Sequence, residues 1–367
     1  TADLYTPSAL KQKHAGILYT LDDSSAIADK PYKKSFQLFN FHSSRPAIDD
    51  PEFSYSLLSD NVLSSFTNQL TYMYNRSDLS HALSFDAAYG GWFAFFNTGA
   101  AYNFNRNIDT AVGKTVQYNT AKIQLGSSIP LQWIGKRTSK YLNIGGNFTW
   151  EQLYYRGIGK NVFDNKALQY LTLFASWSNA NQQAQKHIHP RWAQAISLSY
   201  RKAYTFINSK KFVANTAWYF PGLFPTHSLV INGSYQQRDR FPDIFSNTFS
   251  YSRGYLSLST RRMYKVGVNY HFPIVYPDAG LGNIVFIQRI RANGFYDYTS
   301  SKARVNGILT EIKNRSTGAE IYFDTKVWNA LPVTLGFRYS RLLDKDLRNP
   351  GAVNRWEIIL PVGLIPN

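Results

Sequence analysis

The chain has 367 residues and a formal net charge of +17, and aromatic residues make up 16% of it. Mean hydropathy is −0.32, and no apolar run reaches the length of about 18 residues that a transmembrane helix needs. The absence of cysteine excludes disulfides and thiolate metal sites. Many short aromatic-rich segments without long apolar runs are typical of a transmembrane β-barrel, with a soluble β-sandwich or propeller as the alternative.

Residues 1–52 differ from the rest of the chain. Four prolines interrupt them (Pro7, Pro31, Pro46 and Pro51), which favours irregular structure. We interpret 1–52 as a periplasmic lead-in or linker that holds at most a first strand at Ser35 to Phe41, and 53–367 as the barrel. Because residue 1 is Thr and no signal peptide is present, we expect a processed or trimmed chain, or the last part of a longer one.

Alternating apolar and polar residues then mark a series of strands. On the best of them Tyr264, Val266 and Val268 alternate with polar neighbours. The fifteen candidates are about 53–59, 64–76, 82–94, 96–106, 115–131, 139–154, 167–179, 191–204, 210–220, 227–238, 262–275, 283–298, 318–329, 331–343 and 355–364. A single-chain bacterial barrel has an even number of strands. The sequence therefore predicts an all-β, antiparallel transmembrane β-barrel of about 16 strands, with Ser35 to Phe41 as the missing one.

The links between these strands differ in length. Tight links such as Asn329-Ala330 are predicted on one side, and long polar links such as 239–261 and 344–354 on the other. In an outer membrane the short links face the periplasm. Aromatic residues near predicted strand ends, such as Trp192 and Trp328, are expected to form girdles at the membrane surfaces.

Basic residues are spread along the chain in small clusters such as Lys33-Lys34, and no nucleic-acid-binding motif accompanies them. We therefore expect no nucleic acid. At the rims of a barrel the basic residues would meet outer-membrane lipids, including anionic lipopolysaccharide headgroups, and the remainder would line the lumen.

No nucleophile elbow, P-loop or dinucleotide fingerprint occurs, so we expect no enzyme and no cofactor. His187-Ile188-His189 could present two imidazoles on one face of a strand, but it lies in the polar run 179–190, which we interpret as a loop. No cysteine or acidic cluster completes a coordination shell there. We therefore expect no metal.

Charged residues share one face of the strand that ends near Tyr298. Arg289, Arg291 and Asp297 are on its polar face, and Glu320 and Asp324 are on that of the next strand. These faces are predicted to line the lumen, where an arginine from an inward-folded loop would find carboxylate partners. The alternative is that they are unrelated hydrated charges, each contributing little.

The last predicted strand, 355–364, carries Trp356 but also Pro361 and Gly363. Proline lacks the N–H that a central strand needs, and glycine weakens pairing. If the barrel closes here, its first and last strands meet at an under-bonded seam. Alternatively, Pro361 lies where its missing N–H is not required.

Four short motifs in order point to a family. Ser252-Arg253-Gly254-Tyr255 resembles the Arg-Gly-Phe/Tyr motif in the sixth extracellular loop of the outer-membrane assembly and translocation superfamily, the surface-antigen barrels of Gram-negative bacteria. Tyr270-His271-Phe272-Pro273, Phe295-Tyr296-Asp297 and Ser316-Thr317-Gly318-Ala319-Glu320 are similar to the strands that follow in that family. The segments 38–43 and 89–93 resemble a branch whose barrel follows a periplasmic β-propeller.

The resemblance implies a sixteen-stranded barrel in which the loop arginine, Arg253, bonds inside the lumen near Phe295 and Asp297, beside a weak seam used to insert or export other proteins. Three features depart from the family pattern. No POTRA module is visible in 1–52, Tyr298-Thr299 replaces a small residue and glycine after Asp297, and Ile365-Pro366-Asn367 lacks a terminal aromatic residue.

The resulting functional hypothesis is a barrel related to protein insertion and translocation factors, integral to the bacterial outer membrane and working with other membrane or periplasmic proteins. Two alternatives remain. The barrel only anchors a periplasmic domain or a larger outer-membrane complex, or it is a solute pore with a basic lumen.

Overall fold

The structure is a computed structural model that describes residues 38–49, 51–109, 115–184, 186–205, 208–239, 245, 249–256, 260–282, 284–305, 308–328, 331–346, 349, 351 and 353–359. Residues Phe39–Asn367 form one compact unit. Within the described ranges, helical structure is a single turn at Gly159–Val162, and no helix there is long and apolar enough to cross a membrane.

The described residues of this unit form seventeen strands: β1 (Phe41–Asp49), β2 (Glu52–Asp60), β3 (Phe66–Asn75), β4 (Ser80–Tyr89), β5 (Phe95–Asp109), β6 (Thr115–Ile134), β7 (Thr138–Tyr155), β8 (Ala167–Asn181), β9 (Ala193–Ala203), β10 (Lys210–Pro221), β11 (Ser228–Arg238), β12 (Arg262–Val275), β13 (Ala279–Leu281), β14 (Val285–Val305), β15 (Ile308–Val327), β16 (Leu331–Leu342) and β17 (Asn354–Ile359).

These strands form one antiparallel sheet in which each long strand pairs with the next in the chain. Strand β13 is a short exception. Both β12 and β13 pair with β14, and β13 continues the line of β12. The sheet therefore has sixteen strand positions, in agreement with the prediction. Among the described residues no register joins β1 to β17.

The two faces of the sheet differ in polarity and in burial. On β12, Val266 and Val268 are exposed, whereas Asn269 and His271 are buried. The same holds around the sheet: exposed apolar side chains include Tyr72, Leu83, Ile123, Leu125, Ile144, Phe148, Leu173, Leu198, Ile321 and Leu335, and buried polar ones include Ser56, Thr120, Asn293, Asp297, Glu320 and Ser340. A sheet that buries its polar face and exposes its apolar face has the pattern of a membrane β-barrel with a polar lumen.

The two ends of the barrel carry different connections. The strands β2–β3, β4–β5, β6–β7, β10–β11 and β15–β16 are joined by links of three to six residues, and we call their end the short-turn end. The connections β7–β8, β11–β12 and β16–β17 lie at the other end, the long-loop end. The tight link after Val327 and the long links after Arg238 and Leu342 thus lie at opposite ends, as the sequence predicted.

Strand positions differ from the prediction in two places. The missing strand is β1 at Phe41–Asp49, not Ser35 to Phe41, of which 35–37 lie outside the described residues. Pro46 favoured irregular structure at the position of β1, but a strand at the edge of a sheet tolerates proline. Strands β14 and β15 have 21 and 20 residues and extend beyond their predicted limits, because polar residues on both faces hid their outer halves. About ten residues cross a bilayer, so this hairpin is longer than the membrane requires.

The predicted division into a lead-in at 1–52 and a barrel at 53–367 stays a prediction. Residues 1–37 lie outside the described part of the chain, and β1 falls within the predicted lead-in.

Candidate functional site

The loop between β11 and β12 lies on the buried polar face of the sheet. We call its described residues 249–256 the arginine loop. Ser252 anchors it: its hydroxyl donates to the carbonyl of Asn314 at 2.9 Å and lies 2.6 Å from the hydroxyl of Thr299. The next turn needs Gly254, whose φ of +82° is a backbone conformation that side chains with a Cβ rarely adopt. The loop is therefore fixed on both sides of Arg253.

Arg253 binds Asp297 through three hydrogen bonds. The guanidinium donates from Nε to Oδ2 at 2.7 Å and from Nη2 to Oδ1 at 2.9 Å, and the backbone N–H of Arg253 donates to Oδ2 at 3.1 Å. The Asp297 side chain is 0% exposed. A bidentate guanidinium–carboxylate pair is stronger and more directional than a neutral hydrogen bond, so it fixes the position of the loop within the lumen.

Three further contacts complete the surroundings of Arg253. Its Nη1 donates to Glu320 Oε1 at 3.2 Å, and its Nη2 donates to Asn269 Oδ1 at 2.7 Å. The guanidinium carbon lies 3.6 Å from the centre of the buried Phe295 ring, a cation–π distance. The side chains around Arg253 thus come from β12, β14 and β15, and join the loop to three strands.

Glu320 connects this site to the next strands. Its Oε1 also accepts from Arg338 Nε at 2.6 Å, and its Oε2 accepts from Asn293 Nδ2 at 2.6 Å and from the Tyr322 hydroxyl at 2.8 Å. Arg338 donates in turn to Glu357 at 3.0 Å on β17. Because a buried carboxylate is costly unless it is paired and hydrogen-bonded, these donors explain how Glu320 is accommodated.

Arg289 and Arg291 form a second group nearer the short-turn end. Arg289 donates from Nε and Nη2 to Asp324 Oδ2 at 2.8 and 2.7 Å, and Arg291 Nε donates to the same oxygen at 3.1 Å. Arg291 also lies over the Tyr322 ring at 4.2 Å. Opposite charges are therefore close together on β14 and β15. Arg289 and Arg291, however, bind Asp324 and not the carboxylates that hold Arg253.

Tyr255 closes the arginine loop against the long-loop end. Its hydroxyl lies 2.8 Å from the carbonyls of Arg315 and Asp344 and accepts the N–H of Asp344 at 2.9 Å. Burial raises the pKa of Tyr255 to about 12. A hydrogen bond from Arg315 lowers the pKa of Asp344 below its ordinary range. The tyrosine therefore stays protonated and joins the loop to β15 and to the connection between β16 and β17.

Of the predicted seam residues, only Trp356 lies within the described part of the chain; Pro361 and Gly363 lie outside it. Trp356 is 77% exposed and packs against Tyr339 with ring centres 4.8 Å apart. The described part of β17 has six residues and pairs with β16.

Sequence reasoning did not single out Asn269, Lys265 or Arg338 as site residues. Lys265 donates to the carbonyl of Tyr251 at 2.8 Å and lies 3.5 Å from Asp297 Oδ2. All three are on polar faces of alternating strands, so periodicity placed them in the lumen without distinguishing them from other lumen residues. Within the described residues, no group of three His, Cys, Asp or Glu side chains could hold a metal ion.

No protein-family model matches the sequence, and no curated protein matches it. Solved structures are similar to it. The crystal structure of BamA from Haemophilus ducreyi lacking POTRA domains 1–3 is 11% identical, has a TM-score of 0.54, and aligns over 86% of this chain and 68% of that chain. CdiB from Escherichia coli is 11% identical over 84% of this chain, and CdiB from Acinetobacter baumannii is 12% identical over 86%, each with a TM-score of 0.50. This chain spans 58% of the length of either CdiB chain.

The chain therefore has the fold of the outer-membrane assembly and translocation barrels. The predicted all-β barrel of about sixteen strands is confirmed, and the resemblance to this superfamily is confirmed as a likeness of fold. The integral outer-membrane location agrees with this fold and is part of the proposal below. The branch with a periplasmic β-propeller stays a prediction.

Proposed function

We propose that this chain is an integral outer-membrane β-barrel that inserts or translocates other proteins. In this proposal Arg253, Gly254 and Tyr255 form a lumen-inserted loop held by Asp297 and Glu320, and the first and last strands form a weak seam. The fold shared with BamA and CdiB supports the class of protein, and the features described below support the individual parts.

Membrane embedding is supported by the exposed apolar face of the strands and by the short-turn end. This end presents exposed apolar side chains in its links and at the adjoining strand ends: Leu63, Trp92, Phe93, Ile134, Leu223, Leu281 and Trp328. Tryptophan and large apolar side chains are favoured where a barrel meets the lipid interface. The net charge of +17 suits contact with anionic lipids, among them lipopolysaccharide.

The observation that carries the proposal is the bonding of Arg253 inside the lumen. A loop exposed to solvent would not need a buried, bidentate arginine–carboxylate pair. Such a pair is costly to desolvate, and removing one of its partners strongly destabilises the protein. Its presence indicates that the position of the loop matters to the protein. We infer that the loop sets the shape of the lumen beside β14, β15 and β16.

Weak closure is supported by β1. This strand pairs with β2 alone among the described residues, and it contains Pro46, opposite Tyr55. Proline within a sheet is confined to edges and bulges because it cannot donate to a neighbouring strand. Strand β1 therefore has one backbone donor fewer at Pro46, which favours a seam that opens more easily than other strand pairs.

Reconstitution with a protein client tests the proposal. Liposomes containing the wild-type barrel should accelerate the membrane insertion of an unfolded outer-membrane barrel client, compared with empty liposomes. Arg253→Ala should abolish most of this acceleration because the loop is released. Arg261→Ala is the matched control, since Arg261 is exposed in the same connection, and it should behave as wild type.

The alternatives give other outcomes. A folded wild-type barrel that accelerates no client would contradict the proposal and favour a membrane anchor. A steady ion current in planar bilayers, with no effect on any client, would favour a solute pore. Client insertion that is equal in wild type and Arg253→Ala would remove the arginine loop from the mechanism.

A further inference from the structure

The loop between β8 and β9 crosses the lumen at the short-turn end. We call its described residues, 182–184 and 186–192, the histidine loop. The Tyr276 hydroxyl donates to the carbonyl of Lys186 at 2.9 Å, and Arg289 Nη1 donates to the carbonyl of His187 at 3.2 Å. Arg289 is on β14. In the sheet this strand is separated from β8 by four others, β9, β10, β11 and β12. Because Arg289 faces the lumen, the loop reaches it through the interior of the barrel.

Two imidazole rings hold the middle of this loop. The His189 ring lies 4.6 Å from the His271 ring in an edge-on arrangement and 5.4 Å from the Tyr219 ring. Ile188 beside it is buried, as is His271. His189 Nε2 and His271 Nδ1 have no hydrogen-bond partner among the described residues. Two neutral rings can pack in this way, whereas two charged rings at this distance repel each other.

The charges around the two rings leave nothing to balance an added proton. Arg291 and Arg289 face His189 from β14, and Asp324 faces it from β15. Around His271 lie Arg291, Glu320 and Arg253. Both carboxylates already have arginine partners: Asp324 binds Arg289 and Arg291, and Glu320 binds Arg253 and Arg338. A protonated imidazole would therefore be a further unpaired cation in a buried cluster, which is strongly unfavourable.

We propose that the histidine loop is an acid-released strap, which closes the short-turn end of the lumen while His189 and His271 are neutral and leaves it when they are protonated. The inference concerns access to the lumen from that end and does not depend on client insertion.

The direction of the pH effect follows from His189. Burial, with Arg291 and then Arg289 adding to it, lowers the pKa of His189 from 6.5 to about 4. A lowered histidine pKa means that the closed strap binds protons less readily than the released one. The closed state is thus fully favoured above pH 6.5 and loses stability as the pH falls from 6.5 toward 4. At pH 4.5 the ratio of released to closed strap should be roughly 100-fold higher than at pH 8.

Spin-label distances in the detergent-folded protein test this inference. The chain has no cysteine, so Lys186→Cys and Leu281→Cys place one label on the strap and one at the end of β13. At pH 8 a single short distance is expected. As the pH falls from 6.5 to 4.5 this distance should lengthen and broaden. A pair at Leu83→Cys and Ile321→Cys, both exposed on strands, should report an unchanged barrel.

Substitutions then identify the groups that titrate. With His189→Phe and His271→Phe together, aromatic rings fill the same space without a titrating nitrogen, so the strap should stay closed at pH 4.5. His187→Phe is the control, since the structure uses its carbonyl, and it should still release the strap. The proposal is overturned if the wild-type distance is constant from pH 8 to 4.5, if the double variant opens like wild type, or if the barrel pair broadens over the same range.

Discussion

Two loops enter the lumen from opposite ends and contact neighbouring strands, but they are held by different interactions. The arginine loop is held by charge-assisted bonds from Arg253 to Asp297 and Glu320. The histidine loop is held by uncharged rings and by donors to its backbone carbonyls. Their attachment sites are close, because His271 on β12 is opposite Asn293 on β14, which is opposite Glu320 on β15.

The two attachments respond to different changes in conditions. A bidentate ion pair whose carboxylate is fully buried is rigid and depends on both charges being present. Packed imidazoles hold only while they are neutral, and histidine is the side chain that changes charge most readily near neutral pH. The arginine loop therefore suits a constant structural element, and the histidine loop suits one that moves.

The largest effect is expected from Asp297→Asn. The amide keeps the shape but removes the negative charge, so Arg253 is left as a buried cation with one carboxylate shared with Arg338. Removing one partner of a buried pair costs about 3 to 5 kcal/mol. Hydrogen–deuterium exchange of residues 249–256 should rise steeply, while exchange of the histidine loop stays unchanged.

Asp278→Asn is the matched control for this substitution. Asp278 is exposed in a turn and has a φ of +46°, a conformation that asparagine also tolerates. It should leave exchange in both loops unchanged. Equal exchange of 249–256 in wild type and Asp297→Asn would show that the two loops are not held differently.

The sequence predicted which strand residues line the lumen better than it predicted the paths of the loops that enter it. Period-two alternation is a direct consequence of strand geometry, so it placed Asp297 and Glu320 on polar faces, and the structure joins both to Arg253. The bonds of Tyr255 to Asp344 were not predictable, since two loops far apart in sequence make them. The run 179–190 was predicted to be a loop, but its path across the lumen depends on His271 and Arg289, which periodicity marks only as lumen residues.

A smaller effect is expected from Gly254→Ala. A methyl group at Gly254 would lie 2.8 Å from Leu342 Cδ2 and 3.0 Å from Ser340 Cβ, and the φ is +82°. Strained backbone of this kind costs about 1 to 3 kcal/mol, and the close contacts add to it. Gly157→Ala is the control, because it also has a positive φ, +54°, but has nothing within 4 Å of the new methyl group. The difference in thermal stability between the two variants measures the close contacts together with the larger φ at Gly254, and equal losses would show that Gly254 does not fit closely.

Tyr255→Phe should weaken the outer part of the arginine loop. It removes the hydroxyl and leaves the N–H of Asp344 without its partner, which costs about 1 to 3 kcal/mol where the group is buried. Exchange at 343–346 should increase more than exchange at Arg253. Tyr339→Phe, which removes a hydrogen bond to Asn354 in an exposed position, should change neither. A result in which 249–256 opens as fully as in Asp297→Asn would place the main attachment at Tyr255 instead.

The smallest effect is expected from Asp344→Asn. Asp344 accepts from Arg315 Nη2 at 2.8 Å and from the Arg315 N–H at 2.7 Å, but the Arg315 side chain is 46% exposed. Exposed ion pairs contribute about 0 to 1 kcal/mol and weaken in salt. Because the pKa of Asp344 is lowered below 3.8, its contribution is present above that pH and is lost as the pH falls through the lowered value. Melting curves at pH 7 should therefore separate wild type from Asp344→Asn slightly in low salt and less in high salt. A large, salt-independent loss would show that this pair behaves like the buried bonds of Arg253.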